Sequence, residues 1–263
     1  MRRVELLSLH NPPEQITAQT MAIHEAILRE SDDLKQPNFE SVGVDDLARL
    51  FKLYDQGFFK GLLAQAVKEK TSLPVVFRLS STMTRAGGKT ILNRWWIPGG
   101  KVQTRYEIAV ASRMLFMTFK QADRPVVVCG LTCRNRLEAL QRILEHEIIH
   151  LAELVDYGKS SCAGQQFKNL AANIFGHAGT THTLVTPAEH AATHHGIRVG
   201  SIVSFELRGR RLVGQVNRAT HRATVLVEDA QGEPYSDRKR YRKFYVPLEI
   251  LRPISASGQN AAE

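Results

Sequence analysis

The sequence predicts an α+β fold in two parts, a larger N-terminal domain of mixed helices and strands and a small C-terminal β-domain. Apolar residues recur at three- and four-residue steps over several long segments, which is typical of amphipathic helices. Short apolar runs bounded by turn residues lie between these segments and indicate strands. After residue 196 the pattern changes to closely spaced short strands, and this change predicts the second domain.

The N-terminal elements begin with residues 1–44, a lead-in that contains one predicted helix, "ITAQTMAIHEAILRE". Asp45 and Asp46 mark the start of a stronger helix, in which eight apolar residues follow helical spacing. These eight are Leu47, Leu50, Phe51, Tyr54, Phe58, Phe59, Leu62 and Leu63. Four later segments have strand composition. They are "LPVVFRLS" (73–80), "GGKTIL" (87–92), "RYEIAVASRMLF" (105–116), where the strand can run into a helix, and "RPVVVCG" (124–130), which is either a strand or a buried loop.

Two helices complete the larger domain, which we place at residues 45–183. The first is predicted from about 135 to 156 and ends at Gly158, since glycine adopts the left-handed conformation that ends many helices. The second is predicted from about 163 to 175 and ends at Gly176 for the same reason.

The C-terminal part begins with a linker helix at 184–196, because "TPAE" has the pattern of a capping box with proline at the first helical position. Residues 197–253 contain four or five short strands with glycine-containing turns between them. Strands of this length and spacing predict a small β-barrel of SH3 or KOW type. The last residues, 254–263, are predicted to be a disordered tail.

The composition limits the kinds of protein that this chain can be. With 43% hydrophobic and 23% charged residues among 263, it resembles an ordinary globular protein. No run of about 18 apolar residues is present, so we expect no membrane contact. Three scattered cysteines are too few for a disulfide framework, which favours a cytoplasmic location. The net charge of +9 favours an anionic partner such as nucleic acid, although solubility alone would also account for it.

The longest predicted helix contains the sequence His-Glu-x-x-His, formed by His146, Glu147 and His150. The two histidines lie one helical turn apart, so both imidazoles can reach one metal ion. Glu147 is rotated by about 100° from His146 and can approach a metal-bound water without binding the metal. This pattern predicts a Zn²⁺ site at which Glu147 is the general base of peptide hydrolysis.

Four segments around this helix resemble the SprT-like (Spartan-type) family of zinc metallopeptidases. They are "LARLFKLYDQGFF", "FRLSSTMTRAGGKT", "LQRILEHEIIHLAEL" and "GKSSCAGQQFKNLAANIFG", and together they span about 45 to 183. The resemblance implies a zincin-like α+β domain with Zn²⁺ bound at His146 and His150 and with Glu147 as the general base. By the same resemblance, the substrate would be a protein bound or crosslinked to nucleic acid.

The third zinc ligand is where the sequence departs from this family. The family places a histidine in a His-Gly-x-x-aromatic pattern at the start of the second helix, and here Ala163 holds that position, followed by Gly164 and Phe167. Cys162 is adjacent and is our preferred replacement, since a thiolate binds zinc well. His177 and His182, beyond the second helix, are alternatives, and a two-ligand, inactive site is another.

The predicted barrel contains most of the positive charge. Twelve Lys and Arg residues lie between 197 and 252 against six acidic residues. The run "RKRYRKFY" interleaves cations with aromatic residues, a combination that can bind phosphates and stack on bases. We predict that this run contacts DNA or RNA through Arg238, Lys239, Arg240, Tyr241, Arg242 and Lys243. The alternative is an edge strand with protective charges.

These observations lead to two hypotheses from different classes. The first is a zinc-dependent SprT-like metalloprotease that acts on nucleic-acid-associated proteins. The second is a non-catalytic nucleic-acid-binding protein that uses the SprT-like domain as a scaffold. The absence of a histidine at Ala163 favours the second hypothesis.

Overall fold

The computed structural model describes residues 8–121 and 124–254, and for Gln121 it describes the backbone alone. The fold is mixed α+β, as predicted. Contacts divide the chain between Leu184 and Val185 into two units. Except for Ile254, the tail predicted at 254–263 lies outside the described residues.

The first unit contains six α-helices and five strands within its described residues. In chain order they are α1 (Pro13–Glu30), α2 (Val44–Phe59), α3 (Leu62–Thr71), β1 (Val76–Leu79), β2 (Gly88–Ile97), β3 (Lys101–Val110), α4 (Ser112–Gln121), β4 (Val126–Val128), β5 (Leu131–Cys133), α5 (Arg136–Tyr157) and α6 (Gln165–Phe175). Strands β1, β3 and β2 form one sheet in that order, with β1 parallel and β2 antiparallel to β3. Strands β4 and β5 form a separate antiparallel pair.

The helix that the sequence predicts to run through Leu63 is two helices in the structure. Lys60 and Gly61 both have positive φ, which ends α2 and turns the chain before α3. The Asp55 carboxylate accepts a hydrogen bond from the Leu63 amide at 3.0 Å and so caps α3. Asp55, a residue within the predicted helix, therefore stabilises the break between α2 and α3.

Helix α5 lies at the centre of the first unit, and its apolar side chains share one core with the other helices. Leu144 and Ile148 are fully buried there. Helix α1, from the predicted lead-in, packs on α2 and buries Ile23 and Ile27 in the same core. The segment before residue 45 is therefore part of this unit.

The second unit contains α7 (Pro187–His195), β6 (Ile202–Leu207), β7 (Arg210–Ala219), β8 (Arg222–Pro234), β9 (Arg240–Pro247), a 3₁₀ turn (Leu248–Ile250) and β10 (Arg252–Pro253). The predicted capping box is present, since Thr186 Oγ1 accepts a hydrogen bond from the Glu189 amide at 3.1 Å and the Glu189 carboxylate accepts one from the Thr186 amide at 3.4 Å. Helix α7 buries Ala191 in the core of this unit.

The strands of the second unit form one antiparallel sheet in the order β10-β6-β7-β8-β9. Between residues 185 and 254 no pairing joins β9 to β10, so the structure does not show the closed barrel that the sequence predicts. In the described residues no helix is both long enough and apolar enough to cross a membrane.

Candidate metal centre

Helix α5 places His146 and His150 side by side. Asn135 caps the start of this helix, since its side chain accepts a hydrogen bond from the Glu138 amide at 2.9 Å, and Gly158, with φ of 70°, caps its end. The Nε2 atoms of the two histidines are 3.2 Å apart. Phe167 of α6 contacts both imidazole rings, with ring centroids 4.8 and 4.4 Å away, and so restricts their orientation.

Cys162 completes a group of three potential ligands. It lies in the loop between α5 and α6, and its Sγ and the ring nitrogens of His146 and His150 all lie within 4.8 Å of one another. A hydrogen bond of 2.9 Å from the Gly164 amide to the Ser161 carbonyl closes the turn that holds Cys162. The group could hold a metal ion. Ala163, next to Cys162, has no side-chain atom that could bind a metal.

The two alternative histidines are not in this group. His177 is almost fully buried, and its Nε2 lies 2.8 Å from the Glu145 carboxylate. His182 lines the same cavity as the three ligands, but its Nδ1 accepts a hydrogen bond from the Leu184 amide at 3.3 Å. Among the candidates proposed from sequence, the structure therefore brings Cys162 to the two histidines.

Two residues beyond the ligands orient His150. The His150 Nδ1 lies 2.7 Å from the Ser160 hydroxyl oxygen, and that hydroxyl donates to Glu153 Oε2 at 2.5 Å. Because the Ser160 hydroxyl donates its proton to the buried Glu153, its oxygen accepts a hydrogen bond from the N–H at Nδ1. His150 Nε2 is then unprotonated and free to bind a metal.

Burial keeps both imidazoles neutral. It lowers the pKa of His146 to about 3, with a further contribution from the neighbouring His150, and it lowers the pKa of His150 to about 4. Cys129 Sγ lies 3.6 Å from His146 Nδ1. Burial, together with the charges of Glu145 and Glu147, raises the pKa of the Cys129 thiol, so it stays protonated. Neutral histidines are the form that binds a metal.

Glu147 lies in the same cavity, which has a volume of about 570 Å³. Burial raises the pKa of its carboxyl to about 7, although hydrogen bonds from Thr90 oppose this shift. The Thr90 hydroxyl is 2.8 Å from Glu147 Oε2 and 2.9 Å from its backbone oxygen. A Cβ at Gly88 would lie 2.7 Å from the Glu147 side chain, so any other residue there would displace this carboxylate. Strand β2 therefore holds this carboxylate in place.

Glu145, directly before the motif, is a buried charge that the sequence analysis did not identify as important. Its carboxylate accepts hydrogen bonds from Tyr54 at 2.7 Å and from Arg142 at 2.7 and 2.8 Å. His177 Nε2 lies 2.8 Å from the same carboxylate. Burial opposes ionisation, but Arg142 and these hydrogen bonds keep the pKa of Glu145 below its usual value. His177 Nδ1 is buried and has no hydrogen-bond partner in the described part of the chain.

The predicted nucleic-acid segment lies in the β8–β9 hairpin, and acidic residues of the same hairpin pair with three of its cations. Lys239 is 2.7 Å from Glu228, Arg242 is 3.0 Å from Asp229, and Lys243 is 2.6 Å from Glu233. In addition, the Tyr241 hydroxyl donates to Asp237 at 2.7 Å, and Arg240 donates to the Gly232 carbonyl at 2.8 Å. Much of the charge in this run is therefore balanced locally.

Comparisons with known proteins do not assign this chain to a family. No family model matches it, no curated protein matches it, and no solved structure matches its fold.

Proposed function

We propose that this chain is a zinc-dependent metallopeptidase of the SprT-like type, with His146, His150 and Cys162 as zinc ligands and Glu147 as the general base. The observation that carries the proposal is the convergence of three donor atoms within 4.8 Å beside the Glu147 carboxylate in one cavity. A ring of two imidazoles and one thiolate suits zinc, and three protein ligands leave a fourth position open, as in catalytic zinc sites.

Each residue of the site has a distinct part in the proposed reaction. Bound zinc would polarise the scissile carbonyl and lower the pKa of a coordinated water. Glu147 would take up the proton of the attacking water and pass it to the leaving amine, acting first as a base and then as an acid. Thr90 holds the carboxylate towards the cavity. Ser160 and Glu153 keep His150 in the tautomer that binds metal.

The sheet beside the site supports a peptide substrate. Strand β2 is at the edge of its three-stranded sheet, and residues 87–90 line the cavity. An extended peptide could pair with this edge and so place its backbone beside Glu147. The long helix packed on this sheet supports the zincin-like fold assignment, and the five antiparallel strands of the second unit support an SH3-like one.

The proposal includes a cytoplasmic setting and substrates associated with nucleic acid, and both follow from the sequence and its resemblance. A second candidate, a non-catalytic binding protein, is favoured by Ala163, since the family histidine is replaced there. In that case the centre would hold a structural metal and no peptide would be cleaved.

Cleavage of fluorescently labelled casein by the full chain, with and without zinc, tests the proposal. The matched variant is Glu147→Gln, which keeps the size of the side chain and its contact with Thr90. We expect this variant to retain its zinc and to lose about 10²- to 10⁴-fold in rate, the usual contribution of a general base. Equal rates for both proteins, or zinc binding with no cleavage by the wild type, would contradict the peptidase proposal, and the second result would favour the binding protein.

A further inference from the structure

The sheet of the second unit has one face on its core and one face turned outward. Val203, Phe205, Val216, Val225 and Val246 belong to the core cluster. Because successive side chains in a strand point to opposite faces, their neighbours in these strands point outward. We call this second surface the outward face.

The outward face combines exposed apolar side chains with arginines. Ile202, Val213 and Tyr245 are 43%, 47% and 70% exposed. Four exposed arginines lie on the same face, and none forms an ion pair with an acidic residue within residues 185–254. They are Arg211, Arg218, Arg222 and Arg252.

The strand register places these groups at two sides of the outward face. Arg218, Thr224 and Tyr245 are opposite one another on β7, β8 and β9, so Arg218 and Tyr245 lie about 10 Å apart on the same face. At the other side of the sheet, Arg252 is opposite Ser204, and Arg211 donates to the Ser204 hydroxyl at 3.4 Å. Exposed apolar side chains and arginines are thus interspersed on this face with Gln215, Lys243 and Glu206.

The arginines of the outward face differ from three of the five cations in the hairpin segment. Lys239 and Arg242 already have carboxylate partners, and binding a phosphate would require breaking those pairs. The arginines of the outward face have no such partner to lose. Tyr245 is also open, whereas Tyr241 is bonded to Asp237.

We propose that the outward face binds single-stranded nucleic acid, with Tyr245 stacking on a base and the four arginines contacting phosphates. Unpaired arginines supply charge complementarity to a phosphate backbone. An exposed aromatic ring on a sheet can stack only on a base that has left its duplex stack, which favours a single strand. This inference deepens the nucleic-acid part of the proposed function, on which it rests, and it moves the contact away from Arg238–Lys243.

Fluorescence anisotropy with a labelled oligothymidine of about 20 nucleotides, and with a duplex of equal length, tests this surface on the full chain. We expect Tyr245→Ala to weaken single-strand binding by on the order of tenfold. Arg218→Ala should weaken it and reduce the slope of log affinity against log salt by about 0.7. The matched controls, Tyr241→Ala and Arg242→Ala, should change the affinity less than about twofold, because both side chains are engaged within the hairpin.

Three results would overturn the inference. They are no binding of oligothymidine by the wild type at about 50 mM salt, loss of binding in the Tyr241 and Arg242 variants but not in the others, and unchanged single-strand binding in Tyr245→Ala. Thermal unfolding of each variant verifies that it is folded. Casein cleavage should be the same in Tyr245→Ala and the wild type, so failure of this surface is distinguishable from failure of the peptidase.

Discussion

The candidate metal centre on α5 and the basic β8–β9 hairpin both stand out in the sequence as short runs of chemically active residues, but the fold arranges them in opposite ways. On α5, His146 and His150 converge and a third donor, Cys162, joins them from a neighbouring loop. In the hairpin, Lys239, Arg242 and Lys243 turn to acidic residues that precede them in the chain. The first run brings potential metal ligands together, whereas three cations of the second run form ion pairs with neighbouring acidic residues.

The difference arises from what each pattern specifies. A spacing of four residues on a helix defines a geometry, since it fixes which side chains share a face. A run of cations defines only a total charge. Whether that charge is available depends on cross-strand neighbours, and Glu228, for example, precedes Lys239 by eleven positions. In this chain, a motif that fixes the geometry of its side chains is therefore a better guide to function than a run defined only by its composition.

The largest expected effect concerns Glu145, the buried charge on α5. Glu145→Ala should destabilise the protein by about 3–5 kcal/mol, because it leaves Arg142 buried without its counter-charge. Urea denaturation measures the change. Tyr54→Phe, which removes one donor to the same carboxylate, should cost about 1 kcal/mol. A loss below about 1 kcal/mol for Glu145→Ala would mean that the network does not hold the helix.

The next effect is the pH dependence of stability that arises from the Glu147 carboxyl. Its folded pKa of about 7 exceeds the ordinary value of 4.5, so this carboxyl lowers the stability progressively as pH rises from about 4.5 to about 7. The shift corresponds to about 3 kcal/mol in metal-free protein. His146 and His150 act in the opposite sense, since their lowered pKa values reduce stability as pH falls below 6.5.

The comparison of Glu147→Gln with the wild type removes the histidine contribution, which both share. After chelation of metal, the two proteins should have similar stability near pH 4, and the variant should be more stable by up to about 3 kcal/mol at pH 8. Urea denaturation across this range gives the difference. A difference that does not vary with pH would show that Glu147 titrates normally.

A smaller effect concerns the residues that orient His150. Ser160→Ala should weaken zinc binding by about 10- to 100-fold, since outer partners of a ligand typically contribute that much. Competition with a chromogenic chelator measures the affinity. Ser161→Ala is the matched control, because this neighbouring serine is exposed. Equal losses in both variants would point to the loop as a whole instead of the hydrogen bond to His150.

The smallest effect belongs to the hairpin. Arg242→Ala breaks an ion pair, as Glu145→Ala does, but Arg242 is 53% exposed. Solvent screens such pairs, so the change should cost no more than about 1 kcal/mol. Thermal unfolding with and without added salt checks this. A loss as large as that of Glu145→Ala would remove the distinction between the two regions.

The sequence predicted the elements that local patterns determine and missed those that depend on distant partners. The mixed α+β class, helix α5 with its end at Gly158, and the capping box at Thr186 all follow from local spacing and capping chemistry. The break at Lys60 was missed because it needs a non-glycine residue at positive φ, which a capping bond from Asp55 stabilises.

Within the site, the sequence located His146 and His150 through their spacing, and Cys162 through its place beside the substituted Ala163. The role of Glu145 could not be predicted, because Tyr54 and His177 lie 91 and 32 positions away. The contact of Glu147 with Gly88 likewise joins a helix to a distant strand. The double glycine at the start of β2, Gly87 and Gly88, was the one sequence signal for this close approach.

Cobalt substitution tests the central claim, that His146, His150 and Cys162 bind one metal together, most directly. Absorption titration of the metal-free full chain with Co²⁺ should show one equivalent bound and a sulfur-to-cobalt charge-transfer band, since the site contains a thiolate. The band should be absent in Cys162→Ser and unchanged in Cys133→Ser, whose sulfur is buried outside the group. No cobalt binding by the wild type, or a band that survives in Cys162→Ser, would contradict the account.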